Sequence, residues 1–227
     1  MYRVLSIDFD VFQKIPDISI LNKCPEGIDR TTAESCKSWQ QHYEKDRQEQ
    51  ALSSITINKK RLAEAMELIR QGCRQGTPIK IVNSHKEIYQ WILDGYHMPG
   101  SSYDGIRLAH LDMHHDIIND CPELNCGNWV KHIKQSIPNT DICWICNAIS
   151  KEVYGLNTPE FSFLNDDVAQ LIGEKYDALF ICRSDTWLPP HLDKYCSDFC
   201  EEALRLVGKE CAEIEQDILL PRKISIS

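Results

Sequence analysis

Two short strings concentrate the residues that could do chemistry. Asp112-Met-His114-His115-Asp116 closes one apolar run, and Asp8-Phe-Asp10 closes another. Side chains alternate along a strand with period two. Asp8 and Asp10 therefore share a face, Asp112 and His114 share another, and Asp116 follows as the chain turns. His85 ends a third run, Ile79-Lys-Ile-Val-Asn-Ser. A single Asp at a strand end is usually a helix cap or a loop residue. Carboxylates gathered on one buried face are different, because they repel each other unless a cation lies between them. Asp8, Asp10, Asp112 and Asp116, with the imidazoles of His85 and His114, form a donor set suited to two divalent ions that share bridging carboxylates. Oxygen-rich donors with some imidazole favour Mn2+ over zinc, with Fe2+ or Co2+ as substitutes.

The elements that must position these residues alternate in kind. Strands are expected over Tyr2–Phe12, Ile79–Val82, Ile106–Met113, Asp141–Ala148 and Tyr176–Cys182. Helices are expected over Ile57–Gln71, Lys86–Leu93, Trp129–Ser136, Asn165–Ile172 and Leu192–Gly208. Residues 13–50 read as an irregular loop feeding a solvated helix. This alternation predicts an α/β fold with a mostly parallel sheet. No internal repeat or low-complexity linker divides the chain, so residues 1–227 are expected to form one domain. Ligands of such sheets bind at the carboxyl ends of the strands, where all three segments sit.

The 227 residues carry 34 acidic and 25 basic side chains, a formal charge of −9, and 42% are hydrophobic. That is the composition of a soluble globular protein. The acidic balance argues against a nucleic-acid partner held through its phosphates. No apolar run approaches the ~18 residues of a membrane span. The N-terminal stretch lacks a signal-peptide pattern, and the 11 cysteines, an odd number, do not suit a disulfide scaffold. A reduced, cytoplasmic protein is therefore expected. Cys143 and Cys146 form a C-x-x-C inside an apolar run and read as buried strand cysteines.

The string from Leu108 to Ile117, L-A-H-L-D-M-H-H-D-I, resembles the D-x-H-x-D metal motif of the arginase/ureohydrolase superfamily. L-S-I-D-F-D-V-F, from Leu5 to Phe12, resembles its S-x-D-x-D motif, and His85 resembles its upstream histidine ligand. The likeness is greatest to the short arginase-like proteins. Some of these convert peptidyl arginine to ornithine during the maturation of ribosomally made peptides. Ordinary arginases carry the D-x-D strand after the D-x-H-x-D strand, whereas here it comes first. The resemblance thus implies a three-layer arginase-like fold, permuted so that the D-x-D strand is N-terminal.

It also implies roles. Asp8 and Asp112 would bridge two Mn2+ ions, His85 and Asp116 would complete one, and His114 and Asp10 the other. Water activated between the ions would attack the guanidinium carbon, giving urea and an ornithine side chain. Asp116 would take the proton and return it to the leaving amine. A guanidinium calls for a planar acidic partner, and Asp185 is the implied one, with Arg183 beside it as a competing partner. Asn128 is implied as a substrate contact and His132 as a proton shuttle displaced from its family position. His110, inside a strand, reads as a packed core histidine. No polar loop is evident to read a free amino acid's ammonium and carboxylate. The expected partner is therefore an arginine-containing precursor peptide, drawn by the acidic surface. The alternative on the same scaffold is a metal-dependent deacetylase or amidohydrolase.

Overall fold

The structure, a computed structural model, describes residues 1–45, 49–118, 121–154, 161 and 163–224. In chain order the elements are β1 (Tyr2–Asp8), β2 (Gln13–Lys14), α1 (Thr32–Glu44), α2 (Glu49–Ser53), β3 (Thr56–Ile57), α3 (Lys59–Gly72), β4 (Ile79–Val82) and α4 (Glu87–Tyr96). Then follow β5 (Ile106–Asp112), α5 (Trp129–Ser136), β6 (Thr140–Cys146), α6 (Ala148–Tyr154), β7 (Phe163–Asn165), β8 (Ala178–Cys182), α7 (Asp193–Val207) and β9 (Ala212–Ile214).

Seven strands form one parallel sheet in the order β7-β6-β5-β1-β8-β4-β9. The N-terminal strand is central, paired with β5 on one side and β8 on the other. β2 and β3 make a small separate antiparallel pair. Helices cover both faces of the main sheet, so the fold is α/β in three layers.

The alternation of side chains decides which face each residue serves. Leu5, Ile7, Ile79, Ile81, Leu111, Leu179 and Ile181 enter one core with Ala65, Leu68 and Ile69 of α3 and Phe199 and Leu204 of α7. Val4, Val82, Leu108, Trp144 and Phe180 enter the other, with Ile88 and Ile92 of α4 and Trp129 and Ile133 of α5. Full burial of one such aliphatic side chain is worth about 1.5–3 kcal/mol, so the strand ends project from a tightly packed base. Cys143 and Cys146 fall in opposite cores. They are therefore buried strand residues and cannot clasp one ion between them. All 11 cysteines are free thiols.

Two elements differ from expectation for local reasons. β1 stops at Asp8, whose carboxylate accepts the Asp10 N–H at 3.2 Å and turns the chain into a 3-10 helix over Phe9–Phe12. Asp10 therefore rides on a turn beyond the strand. The helix expected over Asn165–Ile172 is instead the end of β7 and one 3-10 turn, Val168–Leu171, capped by Asp167. Among the described residues no helix is long and apolar enough to cross a membrane.

Candidate metal centre

The even-numbered residues of β1 and β5 face α4 and α5. At the carboxyl ends of these two strands that face turns polar. Ser6 and Asp8 from β1 meet His110 and Asp112 from β5, and all four are buried. His85 arrives from the turn after β4, and His114 and Asp116 from the turn after β5. The Asp116 backbone is left-handed, with φ 54°. This conformation is costly for a non-glycine residue and is characteristic of functional sites.

Asp112 is the hub. Its Oδ2 lies 2.9 Å from His85 Nδ1 and 3.6 Å from His110 Nε2. Its Oδ1 lies 3.6 Å from His114 Nδ1 and accepts the His114 N–H at 2.7 Å. Asp8 Oδ2 and Asp116 Oδ2 each stand 3.3 Å from His85 Nδ1. Asp10 Oδ2 is 3.0 Å from His114 Nδ1, while its Oδ1 accepts the Met113 N–H at 3.2 Å. Donor atoms of His85, His110 and Asp112 lie within 4.8 Å of one another, and so do those of Asp10, Asp112 and His114. Asp112 belongs to both groups.

Five buried atoms here have no hydrogen-bond partner among the described residues: Asp10 Oδ2, His85 Nδ1, both ring nitrogens of His110, and Asp112 Oδ2. Leaving a buried polar atom unsatisfied costs about 1–3 kcal/mol. Lone-pair donors crowded together without hydrogen bonds suit a cation between them. The residues thus fit divalent metal binding.

Burial and mutual charge shift most of these groups. Burial and the neighbouring Asp10 charge push the Asp8 carboxyl up to about 6. Burial and the charges of Asp116 and Asp8 raise Asp112 far above the carboxylate range. Burial would lower His85, yet the carboxylates around it outweigh that and raise it. The same contest raises His114, through Asp10. Burial would raise Asp116, but His85 outweighs it and holds the carboxyl down to about 2. His110, buried, is pushed down to about 3 and stays neutral, the form a metal ligand needs.

Two orienting contacts complete the centre. Ser6 Oγ lies 2.7 Å from His85 Nε2. A tautomer that donates from Nε2 to Ser6 leaves Nδ1 free to coordinate, as ligating histidines generally require. The Trp129 indole N–H donates to Asp116 Oδ2. A cavity of about 50 Å³ opens onto the centre, lined by Asp8, His85, His114 and Asp116 and walled by Tyr154, Ser184 and Trp187.

The six residues expected as ligands therefore converge, and His110 joins them. Its membership has a sequence signal, since it stands two residues before Asp112 on the same strand face. The three expected substrate residues do not join them. Asp185 is buried, and its carboxylate is taken by the Arg183 guanidinium and by Thr32 Oγ1. Asn128 turns its side chain inward. It accepts the Asn125 N–H and donates to the Cys121 and Glu123 carbonyls, stapling the loop before α5. His132 is half-buried on α5, its ring 6.1 Å from that of Tyr89. None of the three lines the cavity on the centre.

No family model, no curated protein and no solved structure matches the chain.

Proposed function

We propose that the protein is a dinuclear metal-dependent hydrolase, with Mn2+ the first candidate. Its proposed reaction is hydrolysis of the guanidinium group of an arginine side chain within a peptide, which leaves ornithine and releases urea. One observation carries the reading. Four carboxylates and three histidines from three strand ends converge on Asp112, with five buried donor atoms unsatisfied. The motifs D-x-H-x-D and S-x-D-x-D support guanidinium chemistry through their resemblance to the ureohydrolases.

Asp8, Asp10, His85, Asp112, His114 and Asp116 would hold the metals, with His110 as a further ligand to the His85 group. Divalent ions bound there supply Lewis acidity and lower the pKa of water towards neutrality. The chain's own groups do the rest. Asp116, held by Trp129, carries the proton from the attacking water to the leaving amine. Trp187 lies against His114, with ring centroids 4.7 Å apart, and the Tyr154 ring lies 6.3 Å from the same imidazole. Aromatic walls of this kind favour a flat, delocalised cation.

The deciding experiment loads the purified protein with Mn2+, counts bound metal, and assays arginine peptides for urea and the accompanying mass loss. Urea release that is abolished by chelation and restored by Mn2+ is the expected result. Cleavage of acetyl-lysine peptides without urea from arginine peptides would replace this reading with the deacetylase one.

A further inference from the structure

We propose that the groove along the β4–β9 edge of the sheet holds the peptide on either side of the target arginine and selects a cationic segment. What lies at its inner end rests on the hydrolase reading; the groove itself does not. The cavity on the metal centre adjoins a larger space. It shares His85, Cys126, Ser184 and Trp187 with a narrow neck of about 10 Å³. The neck shares Asp29, Arg30, Asn83 and Ser84 with an open groove of about 820 Å³. The inner cavity, at about 50 Å³, admits the head of one side chain. The groove has the volume of a true ligand site and room for several residues.

Its charge has a sign. Asp29, Glu87, Glu213, Glu215 and Asp217 line it against Arg30, Lys80 and Lys86. The bases are already engaged. Arg30 donates to Ser38 and to the Glu26 carbonyl. Lys80 Nζ lies 3.5 Å from Glu87 and 3.8 Å from Glu213, and Lys86 Nζ lies 3.9 Å from Asp29. The acids are in excess and in reach. The Glu213 side chain is 63% exposed. Asp217 is exposed and has no ion-pair partner among the described residues. The groove therefore presents surplus negative charge at its outer wall and a neck leading to the metal centre. A peptide with lysine or arginine near the target residue matches both.

The test uses short fluorescein-labelled peptides with one central arginine, flanked by lysines or by glutamates, titrated by anisotropy against metal-free and Mn2+-loaded protein. The lysine-flanked peptide should bind about tenfold tighter at low ionic strength, and salt should erode the difference. Glu213→Lys combined with Asp217→Lys, both at exposed positions, should remove the preference. Equal affinities, a preference that survives the double reversal, or no binding of either peptide would overturn the proposal. Urea is measured in the same samples. Charge-selective binding without urea would sink the hydrolase reading and leave the groove standing. Equal urea release from both peptides would sink the groove and leave the hydrolase.

Discussion

Two buried clusters of charge lie side by side in this fold, and they are built on opposite principles. Around Asp185 every charge has its complement. Arg183 grips the Asp185 carboxylate with two nitrogens and gives its third to the Ile218 and Leu220 carbonyls at 2.8 and 2.9 Å. Arg222 grips Asp193 through Nε at 2.8 Å and Nη2 at 2.7 Å, and donates to the Asp185 and Leu188 carbonyls. Two arginines meet two aspartates, and none of their side-chain atoms is left without a hydrogen bond. Around Asp112 the carboxylates outnumber any cation the chain supplies, and five donor atoms stand unsatisfied. The first cluster is finished by the protein itself and fastens the C-terminal segment to the body. The second leaves its buried donors open to an added cation. A buried carboxylate beside a strand end is therefore informative through its partners more than through its position.

The contrast can be broken by experiment, and the largest effect is expected at the hub. Asp112→Ala removes the one residue common to both donor groups. Bound metal, counted by elemental analysis, should fall from two ions per chain. Affinity for the remainder should weaken beyond the about 10–100-fold typical when only an orienting contact is lost. Retention of two ions would dissolve the distinction between the clusters.

Asp185→Ala should do the reverse. It strands Arg183 as a buried, uncompensated cation, at a cost of about 3–5 kcal/mol in chemical denaturation, while the metal count stays at the wild-type value. A loss of metal with unchanged stability would instead return Asp185 to the active centre. This cluster also has a pH signature. Burial would raise the Asp185 carboxyl, but the hydrogen bond from Arg183 and the charges of Arg222 and Arg183 outweigh it and hold it below its ordinary 3.8. A carboxyl depressed in the folded state contributes its full stability above the unfolded value and loses it as pH falls through the folded one. The stability gap between wild type and Asp185→Ala should thus be constant near neutrality and shrink below about pH 4.

Each bound Mn2+ should stabilise the wild-type fold by about 2.7 kcal/mol at a hundred times its dissociation constant. That gain should persist in Asp185→Ala and shrink in Asp112→Ala, so thermal melts with and without metal separate the two clusters directly. The smallest change is Ser6→Ala, which leaves every ligand in place and removes only the partner of His85 Nε2. About tenfold weaker metal binding is expected. Unchanged binding would show that Phe180, stacked on His85 at 5.6 Å, suffices to orient the ring.

Much of this was legible in the sequence. β4 and α5 have the expected bounds, Ile79–Val82 and Trp129–Ser136, because one is a short all-apolar run and the other a strongly amphipathic stretch. The strands carrying the ligands were legible because apolar runs stop abruptly at acids. β7 and β9 were not, since three residues offer too few alternations to read as a strand. Asp8 and Asp112 follow from strand periodicity, whereas Asp10, His85, His114 and Asp116 sit on the turns just beyond strand ends. His110 obeys the same periodicity, and only its strand-interior position hid it. Asp185 was readable in part, since Arg183 beside it was a competing partner, while its other partner, Thr32, is 153 residues away and is brought by the fold. Asn128 bonds within its own loop, to Cys121, Glu123 and Asn125, contacts that no spacing rule announces.

The place of β1 in the sheet has a consequence for how the molecule folds. β1 lies between β5 and β8, both distant from it in sequence, and β8 ends only at Cys182. Pairings of such long sequence separation form slowly. The strand end that carries Asp8 is therefore closed in on both sides only late in folding, and the buried donor set around Asp112 is assembled late with it.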